Sequence, residues 1–158
     1  MKYKIQKAKV EDVYSIYKLI NKFAKKKLLL PRVMNEIYEK LLEFFVIKYK
    51  NKTVGCGAFH ITWTGKDQDV LAEIRSLAVE EKYQHKGLGS AIVDRIEKEA
   101  KILGIKKIFA LTFVPEFFKK LNYEIISRDS LPHKVWTECI NCPFFMECKE
   151  VPVIKQLK

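Results

Sequence analysis

The sequence predicts an α/β fold, a mixed sheet with helices on both faces in the order β-α-α-β-β-β-α-β-α-β. Three observations predict it. Apolar residues switch between alternating and 3.6-residue spacing along the 158-residue chain, with no internal repeat or low-complexity stretch. A loop holding Gly87 and Gly89 joins an apolar strand to an amphipathic helix. A second short apolar strand follows that helix, the pattern of a parallel strand-helix-strand crossover.

Each element has its own signal. Tyr3 to Ala8 alternates as a strand, and Val13, Ile16, Tyr17, Ile20 and Phe23 recur at helical spacing, with Glu11 or Asp12 suited to the first turn. Pro31 ends that region, and a second helix is predicted from Met34 to Leu42. Two β-rich runs follow, Phe44 to Tyr49 and Thr53 to Thr62, joined by the polar turn Lys50-Asn51-Lys52. After a break at residues 64–69, Val70 to Val79 reads as an apolar strand carrying Glu73, Arg75 and Ser76. Beyond the glycine loop, Ile92, Val93, Ile96, Ala100 and Leu103 keep helical spacing until Gly104 stops them. Ile105 to Phe113 predicts another strand, Pro115 to Leu121 a helical turn region, and Tyr123 to Ser127 a last strand. A single domain over 1–158 is expected, with a cysteine-containing C-terminal segment at about 131–158.

Composition narrows the function. The chain is 48% hydrophobic, enough for a core, and carries a formal charge of +11. Its lysines are spread, with one tight run at Lys25-Lys26-Lys27, and its aromatics occupy core-like positions, so a solvated basic surface is expected and no nucleic-acid partner. No stretch approaches the roughly 20 apolar residues of a membrane span, and the first residues lack the apolar region of a signal peptide. A soluble, cytoplasmic protein without a membrane partner is the expectation. A dinucleotide-binding fold is excluded, because its glycine motif belongs to the first strand-helix unit and here four strands and two helices come earlier.

Glycines at the threshold of a helix let backbone amides approach a ligand without a Cβ in the way, and the helix start offers unpaired N–H donors. An anion, most often a phosphate, is the natural guest. With Gln84-His85-Lys86-Gly87-Leu88-Gly89 directly after a strand ending Leu77-Ala78-Val79, the chain resembles the GCN5-related N-acetyltransferases over nearly its whole length. Within them it is most similar to the acetyltransferase domain of bacterial N-acetylglutamate synthases, through Lys9 to Ile20, Leu28 to Ile37, Ala72 to Val79, Ile108 to Thr112 and Ser130 to Trp136. The amino-acid-kinase domain of many such enzymes has no counterpart, so the resemblance is to a stand-alone short form without arginine feedback through that domain.

The resemblance implies acetyl-CoA as cosubstrate, its pyrophosphate on Gln84, His85, Lys86, Gly87, Leu88, Gly89 and Ser90, and its pantetheine along Leu77, Ala78 and Val79 as an added strand. An amine that is mostly ammonium at neutral pH needs a base, and Glu73 is the candidate. Backbone amides near Ser76 and Leu77 would polarise the thioester carbonyl. Where many members carry a tyrosine to protonate the thiolate, this chain has Phe118, and Thr112 is the replacement the resemblance supports. Arg32, Arg75 and Lys134 are the candidates for holding acceptor carboxylates.

The C-terminal segment departs from the synthases. Their basic tract is replaced by Cys139, Cys142 and Cys148 among glutamates, and a zinc site completed by Cys56, His60 or His133, a disulfide, and free thiols all stay open. The expected activity is N-acetylation of an amino acid by direct attack in a ternary complex, glutamate first, as the entry to arginine biosynthesis. Glutamine, a protein N-terminus or a lysine are the alternative acceptors, a homodimer is left open, and a basic nucleic-acid- or zinc-binding module is the reading from another class.

Overall fold

A computed structural model describes residues 2–64, 69–131, 139–142 and 149–158. Its elements are β1 (Lys4–Lys7), α1 (Val13–Lys25), α2 (Met34–Glu39), β2 (Phe44–Tyr49), β3 (Lys52–Trp63), β4 (Val70–Val79), α3 (Leu88–Ile102), β5 (Lys107–Thr112), α4 (Pro115–Lys119), β6 (Glu124–Ile125) and β7 (Val151–Gln156). The seven strands form one mixed sheet, as the sequence predicts. The order gains a final strand, β7, and the second helix stops at Glu39, where Leu41–Glu43 tightens into a 3-10 turn.

The chain divides into two compact units, Met1–Phe59 with Ile74–Lys98, and His60–Glu73 with Glu99–Lys158. In the first, β1 pairs antiparallel with β2 and β2 with β3. The hairpin between β2 and β3 turns on Lys50 and Asn51, both at positive φ (49° and 62°), the combination that a two-residue type I′ turn requires. Lys52, predicted in the turn, already pairs with Tyr49. Phe44, Val46, Cys56, Ala58 and Ala78 share a buried cluster with Val13, Ile16, Leu19, Ile20 and Phe23 of α1 and Ile37 of α2. The register sets Phe45 opposite Gly57, and strand alternation turns that pair to the other face. There α3 comes so close that a Cβ on Gly57 would lie 2.7 Å from Cγ2 of Ile92. Helices thus cover both faces.

Asp12, 1% exposed, fastens the start of α1 to the hairpin. Its carboxylate pairs with Lys48 and accepts from the Lys9 amide at 2.8 Å and the Thr53 hydroxyl at 3.2 Å. Burial opposes its ionisation, but these partners outweigh it and hold the carboxyl below its ordinary value of 3.8. Because the folded value is the depressed one, the stabilisation is complete above pH 3.8 and is lost as pH falls through the folded value. Asp12→Ala strands the Lys48 ammonium and is expected to cost about 3 kcal/mol, measured by urea unfolding at pH 7.

In the second unit β7 lies between β5 and β6, antiparallel to both, from Lys107↔Gln156 to Thr112↔Val151 on one side and through Ile125↔Val153 on the other. Leu71, Phe109 and Leu131 form its buried cluster. Phe118 packs edge-on against Phe117 and Tyr123, at 5.1 and 5.2 Å between ring centroids.

Candidate functional site

The predicted anion cradle belongs to the first unit. After Val79 the chain makes a 3-10 turn at Glu81–Tyr83, and the loop swings into α3 through His85 (φ 60°) and Gly87 (φ 79°). Ala91 donates to the Gly87 carbonyl at 3.0 Å, so the helix opens with the amides that precede Ala91 unclaimed by the helical ladder. Apart from its chain neighbours, no heavy atom lies within 4 Å of the position a Gly87 Cβ would take, so the approach to the loop at that residue is open. That is the fit a phosphate needs.

Gln84 serves the cradle from behind. Its side-chain amide donates to the Val79 carbonyl at 2.9 Å, and its own N–H is taken by the Glu81 carbonyl at 3.1 Å. His85 and Lys86 are exposed, Lys86 standing over the Tyr83 ring, while Leu88 is buried as the anchor of the first helical turn. Two salt bridges, Lys22–Glu80 at 3.2 Å and Lys26–Glu81, tie α1 to the start of the loop.

The strand that leads to the cradle is irregular at one point. Ser76 stands at φ 52° inside β4, where a non-glycine residue is rare, and this reorients the peptide toward Leu77. Cys56 on β3, fully buried, lies with its Sγ 3.4 Å from the Ser76 carbonyl and donates to it. Burial pushes the Cys56 thiol up to about 12, a backbone hydrogen bond from Ala78 working the other way. Cys56 is therefore a structural thiol and no nucleophile. Iodoacetamide at pH 8 is expected to label Cys139 and Cys142, both half-buried and outside any disulfide, and to reach Cys56 only after denaturation, as read by peptide mass spectrometry.

A pocket opens beside Ser76. Arg32, Glu36, Lys40, Glu43, Arg75 and Ser76 line it, with Ile37, Phe44 and Ala58 as apolar walls. The structure thus brings together Arg32 and Arg75, two of the three predicted acceptor cations. Asn21 of α1 fixes the Arg32 backbone from both sides, its Oδ1 accepting from the Arg32 amide at 3.3 Å and its Nδ2 donating to the Arg32 carbonyl at 2.8 Å. Arg32 Nη1 donates to Glu36 Oε1 at 2.6 Å, and the same oxygen lies 3.5 Å from Lys40 Nζ. Sequence reasoning missed Asn21, Glu36 and Lys40, and it named Cys56 only as a candidate metal ligand. Only the four-residue spacings Arg32-Glu36-Lys40 carried a readable signal.

In the second unit Glu73, on β4, is 3% exposed and Thr112, at the end of β5, is 7% exposed. The Thr112 hydroxyl oxygen accepts from the Val114 amide at 2.9 Å, which leaves its hydrogen available to another acceptor. Lys134, His133 and Cys148 lie outside the described residues, and among the described residues no group of three or more His, Cys, Asp or Glu side chains could hold a metal ion. No described helix is long and apolar enough to cross a membrane.

Comparison with known proteins gives the family and the fold. The chain is 35% identical over 153 residues to an uncharacterized N-acetyltransferase of Chlorobaculum tepidum, covering 97% of this chain and 96% of that one. It is 34% identical over 137 residues to an amino-acid acetyltransferase of Mycobacterium tuberculosis, covering 85% and 75%. Among solved structures, Rv2747 of Mycobacterium tuberculosis in complex with CoA and NLQ superposes with a TM-score of 0.80 at 29% identity, covering 98% and 99%. N-acetylglutamate synthase from Neisseria gonorrhoeae, complexed with coenzyme A and N-acetyl-glutamate, shares the fold with a TM-score of 0.88 at 24% identity, over 100% of this chain and 36% of that one. Residues 10–123 match the model of the acetyltransferase (GNAT) family, and on that match the chain belongs to this family and is an acyltransferase.

Proposed function

We propose that the chain acetylates the α-amine of an amino acid, glutamate first, with acetyl-CoA as cosubstrate. The observation that carries the reading is the pocket on Ser76, where Arg32, Lys40 and Arg75 gather one residue ahead of the strand edge that leads to the phosphate cradle. An acceptor with two carboxylates matches that set of cations. The amino-acid acetyltransferase named among the relatives supports the acceptor class, and the complex of the Neisseria enzyme with N-acetyl-glutamate agrees with glutamate. A product of this kind would enter arginine biosynthesis.

The chain's own residues divide the work. Acetyl-CoA, when bound, supplies the activated acetyl group. The amides of Gly87 to Ser90 hold its pyrophosphate, and the edge of Leu77 to Val79 receives its amide arm. Arg32, Arg75 and Lys134 are the proposed holders of the acceptor carboxylates. Glu73 takes the proton of the acceptor ammonium, and the turned peptide at Ser76 and Leu77 aims an N–H at the carbonyl oxygen. Thr112 offers its hydroxyl hydrogen to the departing sulfur.

Coenzyme A release with acetyl-CoA and each of the twenty amino acids in turn tests this. Turnover with glutamate, well above the others, is expected. Cofactor binding without turnover of any amino acid would move the acceptor to a peptide or another amine.

A further inference from the structure

The pocket that holds the predicted acceptor cations also carries carboxylates of its own. Glu36 Oε1 stands between Arg32 and a second cation, Lys40, 2.6 Å from Arg32 Nη1 and 3.5 Å from Lys40 Nζ. These three side chains are 23–36% exposed, so the ion pairs are partly wetted and open to exchange. The backbone of Arg32 is not free to follow, because Asn21 grips both its amide and its carbonyl. Exchange at this site is therefore a swing of two side chains over a fixed loop.

On the reading of the pocket just given, we propose that Glu36 is an internal counter-carboxylate, which holds Arg32 until an acceptor carboxylate takes its place, so that position 36 sets the preference between glutamate and its amide, glutamine. The guanidinium has five N–H donors, and the Nη1 bond to Glu36 leaves others through which an incoming carboxylate can begin to bind before Glu36 lets go. Charge decides the consequence. Arg32, Lys40 and Arg75 face Glu36 and Glu43 in the pocket wall, a balance of one positive charge. The displaced Glu36 carboxylate stays within a few ångströms of its successor. It repels a dicarboxylate acceptor more than one whose side chain ends in a neutral amide. Removing its charge relieves glutamate selectively.

The test is steady-state kinetics of the wild-type protein, Glu36→Gln and Glu36→Asp with glutamate and with glutamine at saturating acetyl-CoA. In Glu36→Gln the KM for glutamate is expected to fall by about fivefold more than the KM for glutamine, the effect of one like charge about 4 Å away in a water-like medium. Glu36→Asp keeps the charge and is expected to hold the wild-type ratio within about twofold. A rise in the glutamate KM of Glu36→Gln would make Glu36 a buttress that aims Arg32, and the exchange is then wrong. The same shift in Glu36→Asp as in Glu36→Gln would trace the effect to packing and overturn it too. Turnover of both amino acids with an unshifted ratio overturns the exchange alone. No turnover of either by the wild-type protein, with acetyl-CoA still bound, overturns the function proposed for the pocket and the exchange with it.

Discussion

Glu73→Gln is expected to lower kcat by about 100- to 1,000-fold while the KM for acetyl-CoA stays within about twofold. The glutamine keeps the size of the side chain and one acceptor oxygen in a site only 3% exposed, while the basicity of the carboxylate is lost. An amine acceptor is protonated at neutral pH, and its lone pair becomes available only when a base takes that proton. Raising the pH deprotonates the acceptor without help. The deficit of the variant is therefore expected to shrink as the pH climbs toward 9, and this behaviour separates a lost base from a distorted strand. A glutamine variant with wild-type kcat would remove Glu73 from the chemistry.

Gly87→Val is expected to raise the KM for acetyl-CoA by about 10- to 100-fold, with a smaller effect on kcat at saturation. Two causes act together. A φ of 79° is costly for any residue with a Cβ and most costly for a β-branched one. The added methyls would also fill space beside Gly87 that is open in the wild-type protein, at the entrance to the first helical turn. Gly104 supplies the control. It stands at φ 80°, likewise with nothing within 4 Å of its Cβ position, but it ends α3 instead of opening it. Gly104→Val carries comparable backbone strain away from the cradle, so it should lower the melting temperature and leave the KM for acetyl-CoA alone. Equal KM effects from the two variants would show that strain, and not occupation of the cradle, is being read.

The features legible in the sequence are those with a local cause. Helical spacing placed α1 and α3, β-rich composition around a polar turn placed β2 and β3, and the pair of glycines after an apolar strand marked the cradle, where Gly87 takes at no cost a φ that is costly for other residues. Ser76 and His85 adopt the same region of conformational space without being glycine, and no pattern of neighbours announces it. Their turns are imposed from outside, in the case of Ser76 beside a buried thiol twenty residues away in the chain. Asn21 is similar. On a helix it reads as a polar surface position, and its value lies in a loop eleven residues later. The strand β7 was hidden by Pro152, which argues against an interior strand because it has no N–H to give the ladder. It is tolerated because its carbonyl still accepts from the Ile126 amide at 3.0 Å.

The placement of β7 has a consequence for how the molecule is made. Among the described residues β6 has no strand neighbour but β7, and β7 is also the partner of β5, from which it is separated by the whole stretch between Thr112 and Val151. While the polypeptide leaves the ribosome, β6 exists as an exposed edge with nothing to pair with, and β5 lacks one of its two partners. Contacts of such sequence separation form slowly, and unpaired edges seek strands on other chains. Among the described residues the pairing of the second unit is thus completed by β7, whose Val151 takes its place opposite Thr112. Changes to Val151–Gln156 should show first in the yield of newly made protein, before any is visible in the properties of molecules that have already folded.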